Sequence, residues 1–317
     1  MIPEKLRYRY RRFKLGRAYR HMAELHPSFS LQQASIDHPT SVLWRGKSIA
    51  PIIPLSHLAD IHPGRSGFIV ASGPSVKDMD LQSLQPHVTF CVNGSYLKYK
   101  ESGHCPDYAV ICDASFVSDR WSIVESTMQS GTHCLFTPSV ISRICEIKPG
   151  SLQGIKLTVI QTHFRHYGQP AEEAEEVARK ARDDPELITA DGRVGFSLNP
   201  VKGLFTAHTV THLPVQLCWF LGIRQIYILG MDLGGPDQAR FYEQGASATP
   251  SYLARDYQRH IEPAFEVVAQ MRQTHNFNVY NLSDKSRLPS SIIPKITLDE
   301  ALQRSKTTLS DPPPPDR

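Results

Sequence analysis

The stretch from Gly67 to Ser75 reads GFIVASGPS, an apolar run that ends at Ala71 in a turn of small residues. A second apolar run, Val88–Val92, also ends in small polar residues, at 93–95. Open α/β sheets build nucleotide sites in this way, at the carboxyl ends of their parallel strands. The pattern therefore predicts an enzyme that uses a nucleotide-linked substrate.

Short apolar runs and helical segments alternate along the rest of the chain. Seven short runs are candidate strands, and most of them are apolar on both faces, which is typical of buried parallel strands. They are Phe68–Ala71, Val88–Val92, Tyr108–Cys112, His133–Phe136, Leu157–Ile160, Gln225–Leu229 and Asn278–Asn281. The longest predicted helices are Thr206–Leu221 and Tyr252–Thr274, with kinks expected at Pro214 and Pro263. The alternation predicts a mostly parallel, Rossmann-like α/β sheet with helices on both faces.

The chain of 317 residues is expected to hold one large domain with additions at both ends. Residues 1–60 are interpreted as a basic N-terminal extension, and residues 61–305 as the nucleotide-sugar-binding α/β domain. Within that domain, residues 140–205 have weaker strand signals and are predicted to form a lid or insertion. Residues 306–317, which include four consecutive prolines, are predicted to be a disordered tail.

The positive charge is concentrated at the N-terminus. Every charged residue from Lys5 to Arg20 is Lys or Arg, and such an arm attracts phosphate on a membrane or on nucleic acid. The core shows no basic stripe with interleaved aromatic residues, which argues against nucleic acid. The six cysteines form no C-x-x-C pair, so no zinc site is expected. Without a secretory signal or a run of about 20 apolar residues, we expect a cytoplasmic protein that associates with a surface.

The turns after the first three strands supply candidate binding groups. Ser72, Gly73, Pro74 and Ser75 offer hydroxyls and backbone N–H groups to a phosphate or ribose, although a plain β-turn is the simpler interpretation. Asn93, Gly94 and Ser95 follow the second strand, where the amide can bind a base or ribose edge or act as a helix cap. Asp113 follows the third strand, where its carboxylate can accept a sugar hydroxyl proton, hold the donor, or act as the N-cap of a following helix.

Further candidates lie in the second half of the chain. Asp232 ends a strand beside a glycine pair and is placed to bind ribose, sugar or metal. Arg240, Tyr242 and Glu243 follow in a loop that is predicted to contact phosphate or sugar. His208, beside Thr209, lies at the start of a predicted helix, where the imidazole is favoured in its neutral, basic form. The rival histidines that the sequence leaves open are His163, His166, His212 and His260.

Six short motifs, taken in order, resemble one family. Between about residue 66 and about residue 300 they follow the order of the lipopolysaccharide core biosynthesis proteins of the WaaZ type, which are Kdo transferases. More distantly, the chain resembles the family 42 sialyltransferases, and its Gly-Pro-Ser turn resembles the MptE-like pterin diphosphokinase domains. The motifs are Ser72–Pro74, Val92–Ser95, Ala207–Thr209, Gly230–Leu233, Arg240–Glu243 and Tyr280–Asp284.

The first two resemblances imply a donor in which an acidic 2-keto sugar is carried on CMP. No further cofactor is expected, and no metal either, because no metal-binding motif stands out in the sequence. They imply that the turns ending in Ser75 and Asn93 bind the nucleotide and that Asp113 lies near the donor sugar. His208 and Thr209 would lie at the reacting end, with Asp232, Arg240 and Tyr242 on the far side. The catalytic base stays open between His208, His260 and Asp113, because the lid histidine of the sialyltransferases has no clear counterpart.

The resemblance also implies the partners. The acceptor would be the lipopolysaccharide core, and residues 5–20 would contact the inner-membrane surface of a Gram-negative bacterium, with no role for nucleic acid. Two alternatives remain: an MptE-like enzyme that uses ATP and magnesium, and a non-catalytic module that binds lipopolysaccharide.

Overall fold

The computed structural model describes residues 4–35, 38–234, 239–243 and 253–310. Side chains are described over the same ranges except at residues 4–9 and 307–310. The strands are β1 (Phe29–Ser35), β2 (His38–Trp44), β3 (Lys47–Pro51), β4 (Ser66–Val70), β5 (Val88–Val92), β6 (Tyr108–Ile111), β7 (His133–Phe136), β8 (Leu157–Val159), β9 (Leu187–Ile188), β10 (Phe196–Ser197), β11 (Gln225–Leu229) and β12 (Asn278–Asn281).

The helices lie between and around these strands. They are α1 (Glu4–Leu15), α2 (Tyr96–Glu101), α3 (Ala114–Asp119), α4 (Trp121–Gln129), α5 (Pro138–Ile147), α6 (Ala174–Asp183), α7 (His212–Phe220), α8 (Leu253–Asp256), α9 (Glu262–His275) and α10 (Leu298–Ser310). A π-helical turn, Tyr257–Ile261, joins α8 to α9.

A seven-stranded parallel sheet forms the centre, in the order β12-β11-β4-β5-β6-β7-β8. The chain runs from β4 outward to β8 and then returns to the other side of β4 with β11. The strand order therefore reverses beside β4, which is the point where ligands bind in open α/β sheets. The predicted mostly parallel sheet is confirmed.

Helices cover both faces of the sheet, as its apolar pattern predicts. One face carries Ile69 and Ile228, which pack in one cluster with Leu217 of α7 and Phe265 of α9. The neighbouring residues of the same strands point the other way, so that Phe68 and its neighbours pack with α2 and α10. Since every residue of β4 and β5 is buried, these strands have no solvent face.

Two predicted helices differ in detail from the observed ones. The predicted helix Thr206–Leu221 begins only at His212, so His208 lies ahead of α7 with a φ of 54° and not in a helical first turn. Pro214 is the third residue of α7, where its missing N–H costs no hydrogen bond, and the expected kink has no cause there. Pro263 follows the π-helical turn at 257–261, an irregularity of the kind that its ring imposes.

The three outlying regions are also more structured than the sequence suggests. Residues 1–60 contain the antiparallel sheet β1-β2-β3, whose Leu31 and Val42 pack with Ile144 and Leu157 of the core. The predicted lid, 140–205, begins inside α5 and includes β8, the edge strand of the central sheet. The predicted tail begins inside α10, which continues to Ser310, and residues 311–317 lie outside the described residues. In the described part of the chain, no helix combines the length and the apolar character needed to cross a bilayer.

Candidate functional site

The carboxyl ends of all seven parallel strands lie at one edge of the sheet, and most of the candidate residues follow those ends. The Gly-Pro-Ser turn follows β4, Asn93 follows β5, Asp113 follows β6 and Asp232 follows β11. The turns after β4 and β11 flank the point where the strand order reverses. The fold thus brings residues that are up to 160 positions apart to a single edge.

Asp232 is hydrogen-bonded to the turn after β4. Its Oδ2 accepts the backbone N–H of Ser75 at 2.9 Å, and its Oδ1 accepts the Ser75 hydroxyl at 2.6 Å. The same Ser75 hydroxyl lies 2.9 Å from that of Ser283, and the Gly73 N–H donates to the Gly230 carbonyl at 2.9 Å. Asp232 is 4% exposed, so this carboxylate fixes the shape of the turn.

Gly73 is required by this packing and gives a stability prediction. A Cβ added there would lie 2.5 Å from Oδ2 of Asp232 and closer still to the Gly230 carbonyl, both of which are fixed. We expect Gly73→Ala to lower the free energy of unfolding by about 1–3 kcal/mol, measured by urea denaturation. Gly150→Ala is the control, because a Cβ there meets no atom within 4 Å. Equal stability of the two variants would contradict the packing argument.

The turn after β5 presents an unsatisfied polar atom beside an aromatic ring. Asn93 adopts a φ of 49°, and none of the described residues hydrogen-bonds its buried Oδ1. Gly94 lies directly under the ring of Tyr242, so that an added Cβ would come within 2.6 Å of the Tyr242 hydroxyl. Burial raises the pKa of that hydroxyl, which therefore stays protonated as a hydrogen-bond donor. Ser95, by contrast, is used internally, since its hydroxyl donates to the Val70 carbonyl and accepts the Val92 N–H.

Arg240 and Glu243 hold the loop of Tyr242 over this edge. Glu243, whose side chain is 2% exposed, binds Arg240 at 2.7 Å and Arg120 at 3.3 Å. The loop is also joined to the first turn, where the Phe241 N–H donates to the Ser72 carbonyl at 3.2 Å. Glu243 therefore positions two guanidinium groups, and the prediction that Glu243 itself contacts phosphate or sugar has no support from its buried, paired side chain.

His208 forms a second group of polar residues with two side chains from the 253–275 helical segment. Its Nδ1 lies 2.9 Å from Oδ2 of Asp256, and its ring stacks on that of His260 at 3.9 Å between centroids and 5° between planes. Hydrogen bonds from Arg255, with that of His208, hold the pKa of the Asp256 carboxyl well below its usual range. Because Asp256 is ionised, Nδ1 of His208 is the donor, which leaves Nε2 free to accept a proton.

His208 and His260 both line a cleft of about 450 Å³. Burial, and secondarily His208, lower the pKa of His260, which therefore stays neutral beside its partner. The cleft extends over the ends of β6, β7 and β8, and its opposite walls come from the N-terminal region and from the segment before α6. Other residues that line it include Cys112, Gln161, Arg165, Tyr167, Arg193, Met22 and Leu25.

Asp113 has the structural role that the sequence left open. It is the N-cap of α3, because its carboxylate accepts a hydrogen bond from the Ser115 N–H at 2.8 Å. Both carboxylate oxygens also accept hydrogen bonds from the Ser115 hydroxyl.

Thr209 contributes to the turn before α7, where its carbonyl accepts a hydrogen bond from the His212 N–H at 3.4 Å. In the described ranges, no group of three His, Cys, Asp or Glu side chains is arranged to hold a metal ion.

Sequence reasoning missed Asp256 and Arg120. Asp256 and His260 are four residues apart, a spacing that puts two helical residues on one face, and this was the available signal. No spacing in the sequence indicates that this face meets His208, nor that Arg120 reaches Glu243.

Comparison with known proteins shows which family the chain is similar to. Residues 186–299 match the family described as "3-deoxy-D-manno-octulosonic acid transferase WaaZ". A probable 3-deoxy-manno-octulosonic acid transferase of Escherichia coli K12 is 25% identical over 242 residues, which are 73% of this chain and 82% of the relative. The chain is similar to the WaaZ-type Kdo transferases. The predicted resemblance and the predicted glycosyltransferase enzyme are thereby confirmed.

The WaaZ-type match covers His208, Asp232, Arg240, Asp256 and His260, whereas the turns after β4 and β5 lie outside it. A second probable transferase, from Salmonella typhimurium LT2, is 32% identical over 114 residues, 36% of this chain and 41% of the relative.

Two solved structures are also similar to this chain. The Maf glycosyltransferase from Magnetospirillum magneticum AMB-1 has a TM-score of 0.42 at 13% identity, over 80% of this chain and 40% of that one. The sialyltransferase CST-II, in complex with a trisaccharide acceptor and CMP, has a TM-score of 0.36 at 12% identity, over 76% of this chain and 99% of that one.

Proposed function

We propose that the chain transfers an acidic 2-keto sugar, Kdo, from its CMP-linked donor to a sugar hydroxyl of the lipopolysaccharide core. The observation that carries this proposal is the His208–Asp256 pair, which faces an open cleft and lies within the residues that match the WaaZ family. A neutral imidazole with a free nitrogen at a ligand-sized cleft is the group that a transfer to a hydroxyl requires.

His208 acts as the base in the proposed reaction. The acceptor oxygen forms a bond to the anomeric carbon of the sugar while the bond from that carbon to the CMP phosphate breaks. The bonding electrons leave with the phosphate, and the acceptor proton moves to Nε2 of His208. Asp256 stabilises the imidazolium that results. The two hydrogen bonds from the guanidinium group of Arg255 keep Asp256 charged. His260 supports the ring by stacking, and Asp113 is disfavoured because Ser115 occupies its oxygens.

The nucleotide would bind where the strand order reverses. The Gly73 and Ser75 N–H groups of the turn after β4 are already used within the protein, so the turn would serve as a fixed wall of the site. The unsatisfied Oδ1 of Asn93 suits the donor groups of a base or ribose. Tyr242 and the guanidinium groups of Arg240 and Arg120 lie beside it and can neutralise the departing phosphate. The proposed reaction needs neither a metal nor a further cofactor, because the arginine side chains neutralise the departing phosphate and the imidazole accepts the proton.

The proposed location is the cytoplasmic side of the inner membrane in a Gram-negative bacterium, where the protein would be peripherally bound. Residues 5–20 would supply the contact, since each Lys or Arg near an anionic surface contributes about 1 kcal/mol. The acceptor is a membrane lipid, so an enzyme held at that surface meets it at high local concentration. We propose no nucleic-acid partner.

A thermal-shift comparison tests the proposal against its two alternatives. We expect CMP at a hundred-fold excess over its Kd to stabilise the protein by about 2.7 kcal/mol, and ATP with Mg²⁺ to have little effect. Asn93→Ala should reduce the CMP shift, whereas Asn278→Ala, at the opposite edge of the sheet, should not. A shift with ATP and Mg²⁺ alone would favour an MptE-like enzyme, and no shift with either nucleotide would favour a non-catalytic module.

Mass spectrometry of the core oligosaccharide tests the product. Deletion of the gene should remove one Kdo residue from the core, and a plasmid copy should restore it. An unchanged core would contradict the proposed transfer.

A further inference from the structure

The exposed large apolar side chains of the described residues are concentrated in the basic arm. Tyr10 is 67% exposed and Phe13 is 87% exposed, and Leu15 and Tyr19 are exposed as well. Only Ile61 and Ile147 reach comparable exposure elsewhere in the described part of the chain. These four residues lie within ten positions of an otherwise basic segment, and the two most exposed of them, Tyr10 and Phe13, form an apolar patch on α1.

The geometry of α1 directs this patch away from the protein. Arg11 anchors the helix, because its guanidinium donates to the carbonyls of Leu25 and Met22. Tyr10 and Phe13 are three residues apart and are neighbours on the helix surface, at about 100° and 160° around the helix axis from Arg11. The aromatic side chains thus project outward, on the side of the helix that does not contact the core.

The charge around the patch indicates which kind of surface it binds. Lys14, Arg17 and Arg20 are exposed, and the chain carries no acidic residue from Lys5 to Arg20. Aromatic side chains flanked by cations are the arrangement by which helices lie in the interface of anionic bilayers, with the rings among the lipid headgroups. A protein partner would need matching acids, whereas an anionic lipid surface supplies the charge and the apolar layer together.

The arm is also joined to the cleft that His208 lines. The Ala171 N–H donates to the Ala18 carbonyl at 2.6 Å, and His21 binds the His166 carbonyl at 2.9 Å. Arg17 pairs with Glu173 at 3.5 Å, and Glu173 is itself a lining residue of the cleft. The patch and the wall of the cleft are therefore one continuous structure, so that a bilayer at the patch lies beside the cleft.

We propose that α1 is an interfacial helix that inserts Tyr10 and Phe13 into an anionic bilayer and holds the mouth of the cleft next to it. This inference rests on the proposed function, which supplies the membrane-bound acceptor. It differs from a purely electrostatic attachment to the membrane, because the side chains of Tyr10 and Phe13 insert into the bilayer. The two mechanisms differ in their salt dependence, because screening weakens attraction between charges but not the burial of apolar surface.

Sedimentation with vesicles of 30% phosphatidylglycerol in phosphatidylcholine, without any sugar donor, tests the insertion as a property separate from transfer. We expect Tyr10→Ser/Phe13→Ser, which leaves every charge in place, to weaken binding about ten- to a hundred-fold, and binding of the wild type to persist in part at 0.5 M NaCl. Ile61→Ser/Ile147→Ser is the matched control and should bind as the wild type does.

Three results would overturn this inference. They are equal vesicle binding by Tyr10→Ser/Phe13→Ser and the wild type, complete loss of wild-type binding in 0.5 M NaCl, and no binding of the wild type to the vesicles at any salt concentration. The thermal unfolding temperature of each variant, measured in parallel, distinguishes lost insertion from lost folding. CMP binding and transfer to a soluble acceptor should stay normal in both double variants, so a failure of the proposed function would be visible separately.

Discussion

His208→Ala is expected to reduce turnover about 100- to 10,000-fold while CMP binds nearly as well as to the wild type. The imidazole is the one group in the described cleft that combines a free nitrogen with a carboxylate partner at 2.9 Å, so its removal leaves the acceptor hydroxyl without a base. The proposed nucleotide contacts lie on other elements, at the edge formed by the turns after β4 and β5. Initial rates with saturating donor and isothermal titration with CMP measure the two effects separately.

Two further histidine variants sharpen this experiment. His260→Ala removes the stacked ring and should cost less than His208→Ala, because the hydrogen bond to Asp256 remains. His57→Ala, at an exposed position before β4, should leave turnover unchanged. Normal turnover in His208→Ala would exclude His208 as the base, and a larger loss in His260→Ala would transfer that role to His260.

Asp256→Asn is expected to lower turnover about 100-fold or more without changing the fold. The carboxylate accepts a hydrogen bond from the Nδ1–H of His208 and so keeps Nε2 free of a proton. An asparagine that presents its NH₂ group to Nδ1 would favour the opposite tautomer, in which Nε2 carries the proton and cannot accept another. The substitution is isosteric, so KM for the donor and the thermal unfolding temperature should change little while kcat falls.

The pH dependence of kcat distinguishes this positioning role from a structural one. Loss of the Asp256 charge should move the acidic limb of the profile, an effect that a merely loosened helix would not produce. Asp119→Asn, at the exposed end of α3, is the control for loss of a negative charge. If Asp256→Asn retains the wild-type kcat and profile, the tautomer argument fails, and Asp256 only connects the helical segment to the loop of His208.

The strands could be predicted because their signal is local. Val88–Val92 and Gln225–Leu229 were predicted with the observed bounds, since a strand that is buried on both faces is apolar at nearly every position. The start of α7 was misplaced by six residues because 206–211 carries apolar residues that pack as an irregular segment, not as a helix. Asp113 shows the corresponding limit for function, since the sequence allowed a sugar ligand and an N-cap, and only the hydrogen bonds of Ser115 favour the second.

The amino-acid sequence by itself determined the parallel α/β sheet and the edge at which its polar turns gather, because strand burial and turn chemistry depend on neighbouring residues. Only the tertiary structure decided that Asp256 orients His208, that Asp232 is fixed by Ser75, and that the basic arm adjoins the cleft. These contacts join residues 48, 157 and 153 positions apart, respectively. Their geometry follows from how the helices pack on the sheet, which no local pattern records.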